Sequence, residues 1–338
     1  MKLVNTLVLA VVVVLILFGM VVATLMIGPD KIASYLKEED PKDSFVHMSG
    51  NDFWMAPDSA TIPKDAEGDE IRYGRELIVH TSKYLGPKGS VMAISNGMNC
   101  QNCHLHAGTK IFGNNYSAVA STYPKFRPRS GTNETIEKRV NDCIERSLNG
   151  QALTDDSREM RAIVSYIKWV GRDVPKGESP KGVGLLELAY MESPADSIKG
   201  KLLYGQKCAV CHGANGLGTA NADSTGWTYP PLWGKKSYND GAGLYRLSRF
   251  AGYIKANMPL GATFEEPQLT DEQCWHLAAY VNSLNRPVMD KSKDWPDVSK
   301  KPVDHPFGPY TDGFDEVKHK FGPFKPILES RNAKVGVK

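Results

Sequence analysis

Apolar positions fall into two kinds of run along the chain. From Leu7 to Ile27 they continue without a single charge, and at about 1.5 Å per residue these 21 residues would span about 30 Å, the depth of a bilayer core. Val21-Val22-Ala23 is only a loose match to a cleavage site, so the segment reads as an uncleaved transmembrane anchor, and Lys2 favours an inside N-terminus. Further on, apolar residues recur at helical spacing: Ile71, Leu77 and Ile78 after Asp69, and Ile136, Val140, Ile144 and Leu148. The second set predicts a helix over Glu134 to Leu148, capped by Thr132 or Asn133 and stopped by Gly150. Residues 28–67 lack periodicity, and 173–184 have the Pro, Gly and charge content of a linker.

The periodic stretches repeat. Leu203-Tyr204-Gly205 parallels Arg72-Tyr73-Gly74, and Tyr229-Pro230 parallels Tyr123-Pro124. Leu269-Thr270-Asp271 followed by Tyr280 parallels Leu153-Thr154-Asp155 followed by Tyr166. The pattern predicts an all-α chain in six parts. These are an anchor (1–28), a tether (29–67), two helical domains (68–172 and 185–287) around a linker (173–184), and an extension (288–338) rich in Pro and aromatics. So many aromatics predict that the extension packs back on the domains.

A 338-residue chain with 41% hydrophobic content can fill two such cores, and a net charge of +3 gives no basis for nucleic-acid binding. The six cysteines carry the chemistry. Cys100-Gln-Asn-Cys103-His104 and Cys208-Ala-Val-Cys211-His212 are C-x-x-C-H motifs, in which two thioethers pin a haem and the adjacent His supplies a nitrogen to iron. Two such motifs mean two covalently bound haem c groups in two tandem cytochrome c domains. Haem c attachment takes place outside the bacterial cytoplasm, so a single-pass anchor in the cytoplasmic membrane would leave both haem domains facing the periplasm.

In the second domain Met258-Pro259, 46 residues after His212, occupies the usual place of a distal Met ligand. Met258 precedes Tyr280 by 22 residues and Cys143 precedes Tyr166 by 23, so Cys143 fills the corresponding slot in the first domain. Met92, Met98, Met160, His80 and His106 are rivals without the matching offset, and Cys274 has no such slot. On the predicted helix Arg139, Cys143 and Ser147 share a face with Arg146, and Arg127 and Arg129 lie just upstream. Several guanidiniums around a soft sulfur suit a small divalent oxyanion.

The segments 96–105, 123–132, 139–150 (R-V-N-D-C-I-E-R-S-L-N-G) and 257–261 (N-M-P-L-G), with the tail H-P-F-G-P-Y, resemble the thiosulfate dehydrogenase family of dihaem cytochromes c. The resemblance runs from about residue 68 to 326. It implies oxidation of two thiosulfates to tetrathionate, a first haem held by His104 and Cys143, and a second held by His212 and Met258. It also implies catalytic roles for Arg129, Arg139, Cys143 and Ser147, and an electron-accepting cytochrome c or membrane oxidase as partner. Asn257 stands where some relatives have Lys before the distal Met. Tetrathionate reduction by the same site, or an electron shuttle without a substrate, are the competing expectations. A shuttle has no use for a Cys ligand beside Arg139 and Ser147, and a dihaem peroxidase would need an open distal site.

Overall fold

The computed structural model of the chain describes residues 53–223 and 225–336. The predicted anchor and most of the tether lie outside these residues; among the described residues no helix is long and apolar enough to cross a membrane. The described part is predominantly helical, with two short antiparallel ribbons, β1 (Lys125–Arg127) with β2 (Thr132–Glu134) and β3 (Thr219–Ala220) with β4 (Trp227–Tyr229).

Each core is built on a helix pair that crosses at a glycine. In the first, α1 (Ala66–Val79) packs on α3 (Arg158–Val170), and a Cβ on Gly74 would lie 1.9 Å from the Ala162 carbonyl and 2.8 Å from Cβ of Tyr166. In the second, α4 (Ser197–Lys207) packs on α6 (Asp271–Ser283), and a Cβ on Gly200 would lie 2.0 Å from the His276 carbonyl and 2.7 Å from Cβ of Tyr280. Only a residue without a Cβ allows backbones this close. The crossing therefore pairs Gly74 with Gly200 and Tyr166 with Tyr280. The sequence parallel between Gly74 and Gly205 is out of register, because Gly205 faces open space. Leu77, Met160 and Val170 fill the first core; Leu269, Leu277 and Ile327 fill the second.

The helix of Cys143, α2 (Ile136–Arg146), begins later than its apolar pattern predicts. Thr132 and Asn133 are committed to β2, so Thr135 becomes the cap, accepting from the Lys138 amide at 3.2 Å. Its other end is finished by the second domain. The Asn239 amide donates to the Arg146 carbonyl at 3.0 Å, and its side chain donates to the Glu145 carbonyl at 2.8 Å.

Further bonds join the domains through α5 (Leu247–Asn257). The Tyr253 hydroxyl donates to the Asn102 carbonyl, inside the first C-x-x-C-H motif, at 2.7 Å, and the Asn257 side chain donates to the Phe112 carbonyl at 3.0 Å. Of the extension, Phe324 and Ile327 are buried in the second core, while the Trp295 amide reaches the Arg129 carbonyl in the first domain.

Candidate functional site

The first C-x-x-C-H motif is pinned from the end of α1. The Cys100 amide donates to Thr81 Oγ1 at 2.9 Å, and the Ser82 amide to the Asn99 side chain at 2.8 Å. His104 Nδ1 lies 2.6 Å from the Asn114 carbonyl, which fixes the proton on Nδ1 and leaves the lone pair on Nε2, the nitrogen that could ligate iron. His212 is oriented the same way by the Pro230 carbonyl at 2.9 Å. The repeat does not extend to this bond: Pro124, the sequence counterpart of Pro230, is not the acceptor in the first domain, and Asn114 takes its place.

In front of His104 lies a cavity of about 540 Å³. Cys100 and Cys103 line it beside His104, with Ile78, Leu85 and Ile163 as part of its apolar wall. Two free thiols, a tautomer-fixed His and an apolar slot are the donor set and environment that a covalent haem requires, so the residues fit the group. Cys143, Arg129, Arg139, Arg146 and Ser147 line the same cavity, and the structure thereby brings together the predicted residues of the first site. Of the rivals, Met98 also lines it, while Met160 is wholly buried in the core and Met92, His80 and His106 are not among the lining residues. Cys274 is fully buried in the second core, where burial pushes its thiol up. Met258 closes α5 and packs against the second core.

The three cysteine sulfurs around the cavity differ in their electrostatics. Burial pushes Cys100 up to about 11 and Cys103 up to about 12. Burial acts on Cys143 in the same direction, but Arg139, His104 and Arg129 outweigh it and bring that thiol down to about 6. The main contact is direct: Arg139 Nη1 donates to Cys143 Sγ at 3.1 Å.

The arginines do not form the open cluster that spacing alone predicts. Arg129 Nη2 is 2.9 Å from Asp142, whose carboxylate also takes Lys138. Burial would raise the Asp142 carboxyl, yet Lys138 and Arg129 hold it below the usual range. Arg146 is engaged bidentately by Asp294, at 2.8 and 2.7 Å, with side chains only 9% and 12% exposed. Arg127 comes no closer than 4.0 Å to Glu134, a buried carboxylate whose oxygens have no hydrogen-bond donor among the described residues. Burial, then Arg146 and Arg139, pull Arg129 below its ordinary value, as expected where guanidiniums crowd.

Sequence reasoning missed Asp142, Glu134, Asp294, Trp295 and Arg246, of which Asp142, Trp295 and Arg246 line the cavity. Asp142 was legible in principle, since it adjoins Cys143 and follows Lys138 by one helical turn. Arg246, bound to Asp304 at 2.9 Å, comes from the other domain and carried no local signal.

Residues 91–175 match the family described as SoxA/TsdA, cytochrome c domain, and residues 197–285 match cytochrome c. The chain is 40% identical over 249 residues to a thiosulfate dehydrogenase of Psychrobacter arcticus, covering 73% of each chain. It is 34% identical to one of Stutzerimonas stutzeri, over 77% of this chain and 83% of that one. Against one of Allochromatium vinosum it is 36% identical, over 70% and 85%. The solved structure of thiosulfate dehydrogenase TsdBA from Marichromatium purpuratum, in its as-isolated form, superposes with a TM-score of 0.64 at 31% identity. That match covers 70% of this chain and spans half the length of the solved chain.

Proposed function

The chain belongs to the thiosulfate dehydrogenase family, and from that premise we propose that Cys143 is the reactive sulfur of its site, with Arg129, Arg139 and Ser147 around it. The enzyme oxidises thiosulfate through two cytochrome c domains that carry two covalently bound c-type haems. The reaction joins two thiosulfates into tetrathionate and releases two electrons. When bound, the haems supply one-electron acceptors, the first attached at Cys100 and Cys103 and the second at Cys208 and Cys211.

The protein's part begins with the Cys143 sulfur. It bonds to the terminal sulfur of one thiosulfate, giving a cysteine S-thiosulfonate as two electrons leave. The terminal sulfur of a second thiosulfate attacks the outer sulfur of that adduct, forms the central bond of tetrathionate and expels the Cys143 thiolate. Arg139 Nη1–H stabilises that thiolate both as nucleophile and as leaving group. Arg129 and Ser147 orient the dianions, and Asp142 holds Arg129 in place. The observation that carries this reading is the 3.1 Å contact of Arg139 with Cys143 in a cavity shared with His104, Cys100 and Cys103.

The test is thiosulfate oxidation by Cys143→Gly with an artificial acceptor. Turnover should be nearly abolished while the optical spectrum retains both haems; undiminished turnover would remove Cys143 from the mechanism. His104 with Cys143 would hold the first haem iron and His212 with Met258 the second, checked by low-temperature EPR, where two His/Met signatures would exclude the thiolate. The apolar segment Leu7–Ile27 is the proposed anchor of the chain in the cytoplasmic membrane, with the haem domains in the periplasm and a cytochrome c or membrane oxidase accepting the electrons. Recovery of a salt-soluble protein that begins after residue 28 would refute the anchor.

A further inference from the structure

Two consecutive residues of the C-terminal extension each hold a different arginine of the first-domain cavity, and the second of them, Trp295, lines it. Asp294 takes both terminal nitrogens of Arg146, and the Trp295 amide donates to the Arg129 carbonyl at 2.6 Å. The next residue, Pro296, lies so close to Gly131 that a Cβ there would meet its Cγ at 2.6 Å.

The indole of Trp295 is fixed in its turn. Its Nε1–H donates to Nε2 of His305 at 3.0 Å, and the other nitrogen of that imidazole is tied to the Phe307 carbonyl at 3.1 Å. Trp295 also holds a left-handed backbone, with φ of 60°, which a bulky side chain adopts only when its surroundings enforce it. Yet Trp295 belongs to none of the hydrophobic cores among the described residues. It stays half-buried and lines the cavity with Cys143, Arg129 and Arg139.

A residue held at both its amide and its indole, with a strained backbone, that serves no core and lines a cavity acts by its shape. We infer that Trp295 is the specificity-determining residue of the site, a wall that limits the size of the group carried by the sulfur anion beside Cys143. It admits the compact sulfonate of thiosulfate and excludes a bulkier substituent in the same place. The inference rests on Cys143 as the reactive sulfur.

An aryl thiosulfonate tests it. Benzenethiosulfonate ends in the same nucleophilic sulfur with a phenyl group in place of one oxygen. Two of them couple to the bis-sulfonyl disulfane with loss of two electrons, the same electron count as for thiosulfate. The holoenzyme is assayed with each anion and an artificial acceptor, and the ratio of the two kcat/KM values is read. The wild type should favour thiosulfate strongly, and Trp295→Ala should lower that preference by about tenfold or more through a fall in KM for benzenethiosulfonate. Trp295→Phe keeps an aromatic wall and should retain the wild-type ratio. A wild type without preference, an unchanged ratio in Trp295→Ala, or a parallel loss of both activities overturns the wall. Cys143→Gly, run alongside, separates the two ideas. Turnover surviving there overturns the reading of Cys143, whereas an inactive Cys143→Gly with an unchanged ratio in Trp295→Ala overturns the wall alone.

Discussion

The two haem domains share a scaffold and differ in what surrounds one slot. Both cross a helix pair at a glycine, Gly74 over Ala162 and Gly200 over His276, with Tyr166 and Tyr280 one turn further on. Measured from those tyrosines, Cys143 and Met258 hold nearly the same place. Around Cys143 the first domain gathers Arg129, Arg139 and Arg146 with Asp142, and the extension adds Asp294. Met258 instead packs against an apolar core and follows Asn257, whose side chain is spent on tying the domains together. The comparison teaches that one fold can carry two different slots through the charge gathered around each, with the packing beneath left alone.

The largest test of this contrast is to remove each slot residue in turn. Cys143→Gly should lower thiosulfate turnover by about a thousandfold or more, because it deletes the proposed nucleophile. Met258→Gly should alter the spectrum and potential of the second haem and slow electron exit, with single-turnover thiosulfate oxidation far less affected. Equal losses in that single-turnover assay would erase the distinction between the domains. Next in size is Arg139→Met, expected to reduce kcat/KM by about a hundredfold, since it removes the one guanidinium that bonds the sulfur.

The shared scaffold is probed by methyl groups. Gly74→Ala and Gly200→Ala each drive a Cβ into a backbone carbonyl and should cost about 3 kcal/mol or more, read as a fall in the Tm of the holoprotein. Gly205→Ala meets open space within α4 and should be neutral or stabilising by up to about 1 kcal/mol. A large loss at Gly205 would restore the register read from sequence.

The smallest effect concerns His305, which burial, opposed by its bond to the Phe307 carbonyl, lowers to about 4. Lys301 and Arg246 nearby also disfavour its charge, and Asp304 favours it. The unfolded chain takes up a proton below about 6.5, whereas the folded chain does so only near 4. Stability is therefore level above pH 6.5 and declines as pH falls through this window, where the unfolded state binds more protons. His305→Gln should flatten that part of the Tm-against-pH curve. An unchanged slope would place the sensitivity elsewhere.

Much of the site was legible because covalent haem attachment and helix faces are written in short windows. The two C-x-x-C-H motifs, the slot of Cys143 and the shared face of Arg139, Cys143 and Ser147 needed only spacing. The start of α2 was misjudged because Thr132–Glu134 has a ribbon partner, and pairing with Lys125–Arg127 overrode the local cap signal. The glycine parallel failed for a similar reason: Tyr-Gly is a short match, whereas the crossing point depends on which backbone comes within 2 Å of an added Cβ.

By itself the sequence determined two haem c domains, their order, the exceptional cysteine in the slot of a methionine, and the family. Only the tertiary structure decided which arginines are already neutralised, because their partners are remote: Asp294 lies 148 residues beyond Arg146. It also decided that Trp295 of the extension lines the cavity in front of His104 and that the second domain caps the helix of Cys143. Local chemistry follows from covalent and helical spacing, but charge pairing and cavity shape depend on how distant segments are brought together when the apolar faces of both domains and the tail are buried.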